Sequence, residues 1–137
     1  MIAARSKGPF VREYVFNAAK DELTRDLPAI DLVHLARQSD GDAALESELL
    51  AMFDAQAAKL VARLNLPEVG PQAKADIAHR LKGSALALGA WRVAEAATAA
   101  ETHFARNVAG EAPAGDPMQE LQAAVNEARA SIARLIA

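Results

Sequence analysis

The chain has 137 residues, a formal net charge of −3, no cysteine and only 4% aromatics. That length suits one domain with a core of its own. The lack of cysteine excludes disulfides, thiolate catalysis and Cys-type zinc sites, and the mild acidity gives no general reason to expect nucleic-acid binding.

Alanine supplies roughly a quarter of the residues, which favours closely packed helices. Met1 to Gly8 reads as a frayed end. Pro9 suits the first position of a helix, and Val11, Tyr14, Val15 and Ala18 recur at helical spacing, predicting a short amphipathic helix over about Pro9–Arg25. This helix either packs on the bundle or frays, or it forms a partner or dimer contact. Asp26-Leu27-Pro28 breaks it. Residues 1–29 thus form an N-terminal extension and 30–137 the main domain.

Ile30, Val33 and Leu35 predict a short helix to about Gln38, with His34 structural or exposed. Ser39-Asp40-Gly41-Asp42 is turn chemistry, and Asp42 is a candidate N-cap. A long helix follows to about Asn65, with Leu45, Leu49, Met52, Phe53, Gln56, Leu60 and Leu64 as its core stripe. After a Pro- and Gly-containing loop, Pro71 opens a helix that Gly89 ends or bends. The next helix, about Trp91–Asn107, is expected to bury Val93, Ala97, Ala100 and Phe104, with Trp91 packed near the hairpin. Residues 108–116 form a connection rich in Gly, Ala and Pro. Asp116 caps a last helix whose seam is Met118, Leu121, Val125, Ala128, Ile132 and Leu135. The fold expected is all-α: an antiparallel up-down-up-down four-helix bundle with short additional N-terminal helices.

Within the helix that Pro71 opens, the stretch His79-Arg80-Leu81-Lys82-Gly83-Ser84-Ala85 stands out. At about 100° per residue, Ile77, Leu81, Ser84 and Leu88 fall on one side, with Lys74, Ala78 and Ala85 at its edge. His79, Lys82, Gly83 and Leu86 fall on the other, joined by Ala75 and Asp76. The imidazole therefore faces solvent with a cation one turn along and a bare glycine beside it. His103 lacks such neighbours.

This stretch, with Leu88-Gly89-Ala90 after it and Val93-Ala94-Glu95-Ala96-Ala97 to Glu101 beyond, resembles the active helix and following helix of histidine-containing phosphotransfer (HPt) domains. The resemblance implies a phosphocarrier that accepts a phosphoryl group on His79 from a receiver aspartate and passes it to another receiver. It implies Lys82 as the group that stabilises the phosphoryl oxygens and Gly83 as the gap through which the receiver approaches. It also implies response-regulator receivers and a hybrid histidine kinase as partners, with the Mg²⁺ held by the receiver and no cofactor intrinsic to this chain. Ala75, Leu86 and Ala87 could supply an apolar docking rim. Asp76 and Arg80 could set orientation, or serve only as solvated helix residues.

The chemistry is consistent. A neutral ring nitrogen accepts a phosphoryl group, which brings roughly two negative charges. A unit charge pair about 4 Å apart at an effective dielectric of 20 gains about 4 kcal/mol, of which a partly exposed pair keeps about 1–2. That biases a transfer equilibrium; it does not lower a reaction barrier by the amount an enzyme needs. No Gly-x-x-x-x-Gly-Lys-Ser/Thr loop or kinase glycine loop occurs, so the chain is expected not to be an enzyme with its own ATP site. Two other readings stand beside it: the phosphoacceptor domain of a chemotaxis-type histidine kinase, and a non-catalytic helical interaction module. No apolar run approaches the ~18 residues of a membrane span, and no apolar h-region follows Arg5 and Lys7. A cytoplasmic monomer is the expected form.

Overall fold

A computed structural model describes residues 28–137. The helix predicted over Pro9–Arg25 lies outside them. Five helices and no strands occur among the described residues: α1 (Leu32–Ser39), α2 (Ala43–Leu64), α3 (Pro71–Leu88), α4 (Trp91–Val108) and α5 (Pro117–Leu135).

Their boundaries follow from local chemistry. Asp31 caps α1 by accepting from the backbone N–H of His34, and Asp42 caps α2 through the N–H groups of Ala44 and Leu45. Asp116 caps α5 through Met118. Pro71 and Pro117 open α3 and α5, where the missing N–H would have no helical partner. Gly89 ends α3 at φ 89°, a left-handed turn that favours glycine. A Cβ there would also meet Asp31 Cβ and O at 3.1 Å and His34 Cδ2 at 3.2 Å.

Helices α2 to α5 close a ring in which each packs on its two sequence or spatial neighbours, with α3 against α4 the most extensive contact. The short α1 packs on α2 and α3. The core contains Leu50, Phe53, Leu60 and Leu64 from α2 and Ile77, Leu81 and Leu88 from α3. Val93, Ala97, Ala100 and Phe104 come from α4, and Leu121, Val125, Ala128 and Ile132 from α5. Polar links run along the outside. Arg92 grips Glu127 with two hydrogen bonds of 2.8 and 2.6 Å between α4 and α5, and Arg129 reaches Asp54 across α5 and α2 at 2.7 Å.

Several expected core positions differ. Met52 is 67% exposed whereas Phe53 is buried. Phe53, Ala57, Leu60 and Leu64 define the inward line of α2, and Met52 lies about 100° from it. Leu45 and Leu135 are exposed, near the open ends of their helices, as is Val33 on α1. On α3 the buried arc is Ala75, Ile77, Ala78, Leu81, Ala85 and Leu88, rotated toward α4 relative to the predicted stripe. Lys74 and Ser84 are only half-buried. The Ser84 hydroxyl donates to Gln56 Oε1 at 2.8 Å, a polar bridge from α3 to α2 rather than a core contact.

Candidate functional site

The α3–α4 hairpin turns at Gly89-Ala90, where the N–H groups of both residues bond to Ala85 O at 2.9 Å. The tight turn sets the two helices level with each other. His79 and Glu101 are each eleven residues from Ala90, so at 1.5 Å per residue they stand at the same height.

They meet. His79 Nδ1 lies 2.9 Å from Glu101 Oε2, and Lys82 Nζ lies 3.1 Å from Glu101 Oε1. One carboxylate thus holds the imidazole with one oxygen and the ammonium with the other. The His79 side chain remains 64% exposed, against 27% for Lys82 and 29% for Glu101. Burial pushes the Glu101 carboxyl up, but the hydrogen bonds from Lys82 and His79 and their charges outweigh it. The net effect holds the carboxyl below the usual range, so it is ionised at neutral pH.

An ionised carboxylate only accepts hydrogen bonds. The Nδ1 of His79 must then be the donor, and in the neutral ring the lone pair lies on Nε2. The contact therefore fixes the tautomer as well as the orientation of the ring. Nε2 is the ring nitrogen that Glu101 does not engage.

Gly83 lies about 40° around α3 from His79, with nothing but its chain neighbours and its own helix backbone within 4 Å of where a Cβ would stand. Leu86, 46% exposed, lies on the same face. Asp76, Arg80 and Ala87 are exposed as expected. Asp76 accepts from Gln72 Nε2 at 3.1 Å, and the Ala87 carbonyl is engaged by His34 Nε2 at 3.1 Å, so Ala87 sits at the α1 junction. Ala75 departs from expectation: it is 7% exposed and part of the core. Ala75 and Lys82 share the margin of α3 that faces α4. The lysine stem is long enough to reach around that margin; a methyl group is not. Ala75 therefore packs under the site and forms no docking rim.

Glu101 was missed as a site residue because it belongs to another helix. The signal available was the hairpin arithmetic: the residue as far after the turn as His79 is before it. The other histidines stand apart. His34 packs edge-on to Trp91, with ring centroids 4.9 Å apart, and His103 packs edge-on to Phe104 at 5.4 Å. Among the described residues no group of three or more His, Cys, Asp or Glu is placed to hold a metal ion. No helix among them is long and apolar enough to cross a membrane.

Comparison with curated proteins and with solved structures gives no match. A family model, the Hpt domain, matches residues 48–131, which covers α3 and α4 whole, most of α2 and most of α5. An all-helical bundle matched over more than half its length, with an exposed histidine beside lysine and glycine on a central helix, belongs to the Hpt domain family, whose function is phosphotransfer in two-component signalling.

Proposed function

We propose that His79 is the phosphoacceptor of a relay carrier, receiving the phosphoryl group from a response-regulator receiver and delivering it to another. The observation that carries this is the 2.9 Å contact of His79 Nδ1 with Glu101, which leaves Nε2 as the nucleophile. In the forward step Nε2 bonds to phosphorus, the P–O bond to the receiver's aspartyl group breaks, and the aspartate leaves as a carboxylate. The ring gains positive charge as Nε2 attacks. Glu101, fixed at Nδ1–H, offsets that charge without moving. Lys82 stands one turn away to meet the phosphoryl oxygens.

Gly83 is the clearance for the partner, and Leu86, exposed on the same face two turns along, an apolar contact for it. Asp76, Arg80 and Ala87 flank this face. On this reading the receiver brings the phosphorylated aspartate and the Mg²⁺ beside it, the upstream donor is a hybrid histidine kinase, and the carrier works as a cytoplasmic monomer without its own ATP site.

The test is transfer from a receiver phosphorylated beforehand on its aspartate. His79→Gln should keep the helical circular-dichroism signal and lose acid-labile, base-stable label. Label retained in that variant, on His34 or His103, would overturn the assignment. Labelling that occurs only with an ATP-charged kinase domain, and never from a receiver, would replace the relay reading with that of a kinase phosphoacceptor domain.

A further inference from the structure

Glu101 does two jobs that conflict. It fixes the His79 ring through Oε2 and occupies the Lys82 ammonium through Oε1. In the resting site the charges of Lys82 and Glu101 balance. Phosphorylation at Nε2 adds a group of roughly two negative charges, offset by at most one positive charge on the ring. Whichever protonation state the ring adopts, the site gains negative charge next to Glu101. Among the described residues, the cation in contact with Glu101 beside His79 is Lys82, and it is already engaged.

We propose that Lys82 exchanges partners, leaving Glu101 for the phosphoryl oxygens when His79 is charged, so that Glu101 acts as a counterweight that keeps the stored phosphoryl group ready to leave. This rests on His79 being the phosphoacceptor. The geometry favours exchange over a shared contact. Lys82 is one turn from His79 on α3, and its flexible stem can swing while the two helices stay fixed. The pairing it gives up is partly exposed, with both side chains more than a quarter accessible, and is therefore weak enough to be replaced. Glu101 keeps its contact at Nδ1 in both states. A carrier gains from this arrangement. A site that bound the phosphoryl group with a free lysine would hold it more firmly and pass it on less readily.

The proposal makes Glu101 a positioning residue that also sets the transfer equilibrium, and the two roles separate in Glu101→Gln. The amide oxygen can still accept from His79 Nδ1–H, so the nucleophile persists, while the charge that competes for Lys82 is gone. The experiment uses the full chain and phosphoramidate, a small donor that needs no docking. Its P–N bond breaks, ammonia leaves, and the phosphoryl group bonds to Nε2. Phosphorus NMR at neutral pH gives the ratio of phosphorylated to free His79 at a fixed phosphoramidate-to-ammonia ratio.

Glu101→Gln should raise the ratio about two- to fivefold, the range expected for releasing a partly exposed ion pair. Lys82→Ala should lower it, and most of the Glu101→Gln gain should vanish in the Lys82→Ala background. A ratio unchanged or lowered by Glu101→Gln, with the melting temperature retained, overturns the counterweight. A gain of equal size with and without Lys82 overturns the exchange, because the carboxylate would then act directly on the phosphoryl group. Labelling of His79→Gln to the wild-type level would remove the reading on which the proposal rests, and is distinguishable from both.

Discussion

Trp91 donates its indole N–H to Asp31 Oδ2 at 2.9 Å, joining α4 to the start of α1 across 60 residues of sequence. The other Asp31 oxygen caps α1 at His34 N, and the Asp31 backbone N–H donates to Gly89 O at 2.9 Å. One residue therefore ties α1 to the end of α3 and the beginning of α4. The hydrogen bond from Trp91, followed by that from the His34 backbone, holds the Asp31 carboxyl below its usual range. A carboxyl depressed in the folded state stabilises the fold above its unfolded pKa near 3.8. That contribution falls away as pH drops through that value and the lower folded one. Melting curves between about pH 3 and pH 6 should show Asp31→Asn with a flatter acid slope than wild type. Asp31→Ala, which also loses the cap, should cost about 1–2 kcal/mol at neutral pH. Trp91 is the only tryptophan, so its fluorescence reports the same transition. Identical acid slopes for wild type and Asp31→Asn would show that the contact does not matter to stability.

The neighbours Met52 and Phe53 make a contrast that tests the orientation of α2. Phe53 is 4% exposed and Met52 67%. Phe53→Ala should cost about 3–5 kcal/mol through the cavity it leaves, while Met52→Gln should stay within about 0.5 kcal/mol. Urea unfolding of both variants measures it. Comparable losses would mean that α2 is rotated relative to the arrangement described.

Helix ends were readable from the sequence because they depend on neighbouring residues. Asp42, Asp116, Pro71, Pro117 and Gly89 act within a turn of their own positions, and each predicted boundary lies within a residue or two of the observed one. The face of His79 and Gly83 was readable for the same reason, since 100° per residue fixes their relation within one helix. The rotation of that helix against its neighbour was not. Alanine on several sides of α3 blurs the apolar stripe, so Ala75 could be placed in the core only once α4 lay against it. Met52 was misplaced by the same ambiguity: a methionine beside a phenylalanine satisfies three-four spacing in either of two registers. Glu101 needed the hairpin to be closed before it could be seen beside His79.

Lys82 is expected to matter through charge. Lys82→Ala should leave the bundle folded and disfavour receiver-to-His79 transfer about two- to fivefold, the worth of a partly exposed ion pair. Lys82→Arg should retain a larger share, because the charge survives while the fork geometry differs from that of an ammonium. The gap between wild type and Lys82→Ala should shrink as salt rises from low to moderate concentration, since screening weakens an accessible pair. Equal transfer by both proteins at every salt concentration would reduce Lys82 to a solvated helix residue that happens to meet Glu101.

Gly83 tests whether a partner approaches this face at all. Apart from its chain neighbours and the backbone of its own helix, no atom stands within 4 Å of its would-be Cβ, and its backbone lies inside α3. Gly83→Ala should therefore raise stability by up to about 1 kcal/mol, because alanine forms helix better and restricts the unfolded chain more. In a bundle that docks nothing there, the matter ends with that gain. In a carrier, transfer should worsen as the residue grows. Alanine adds one methyl group and should slow transfer slightly or not at all. Glutamate adds bulk and a negative charge beside the incoming phosphoryl group, and should slow it severely. The two properties then move in opposite directions, with melting temperature level or rising and the receiver-to-His79 rate falling. Both are measured on the same preparations, with phosphoramidate labelling as the control for the chemistry itself. Gly83→Glu transferring from the receiver at the wild-type rate would mean that the partner does not come in over this glycine, and the docking face would have to be sought elsewhere on the bundle even with His79 labelled.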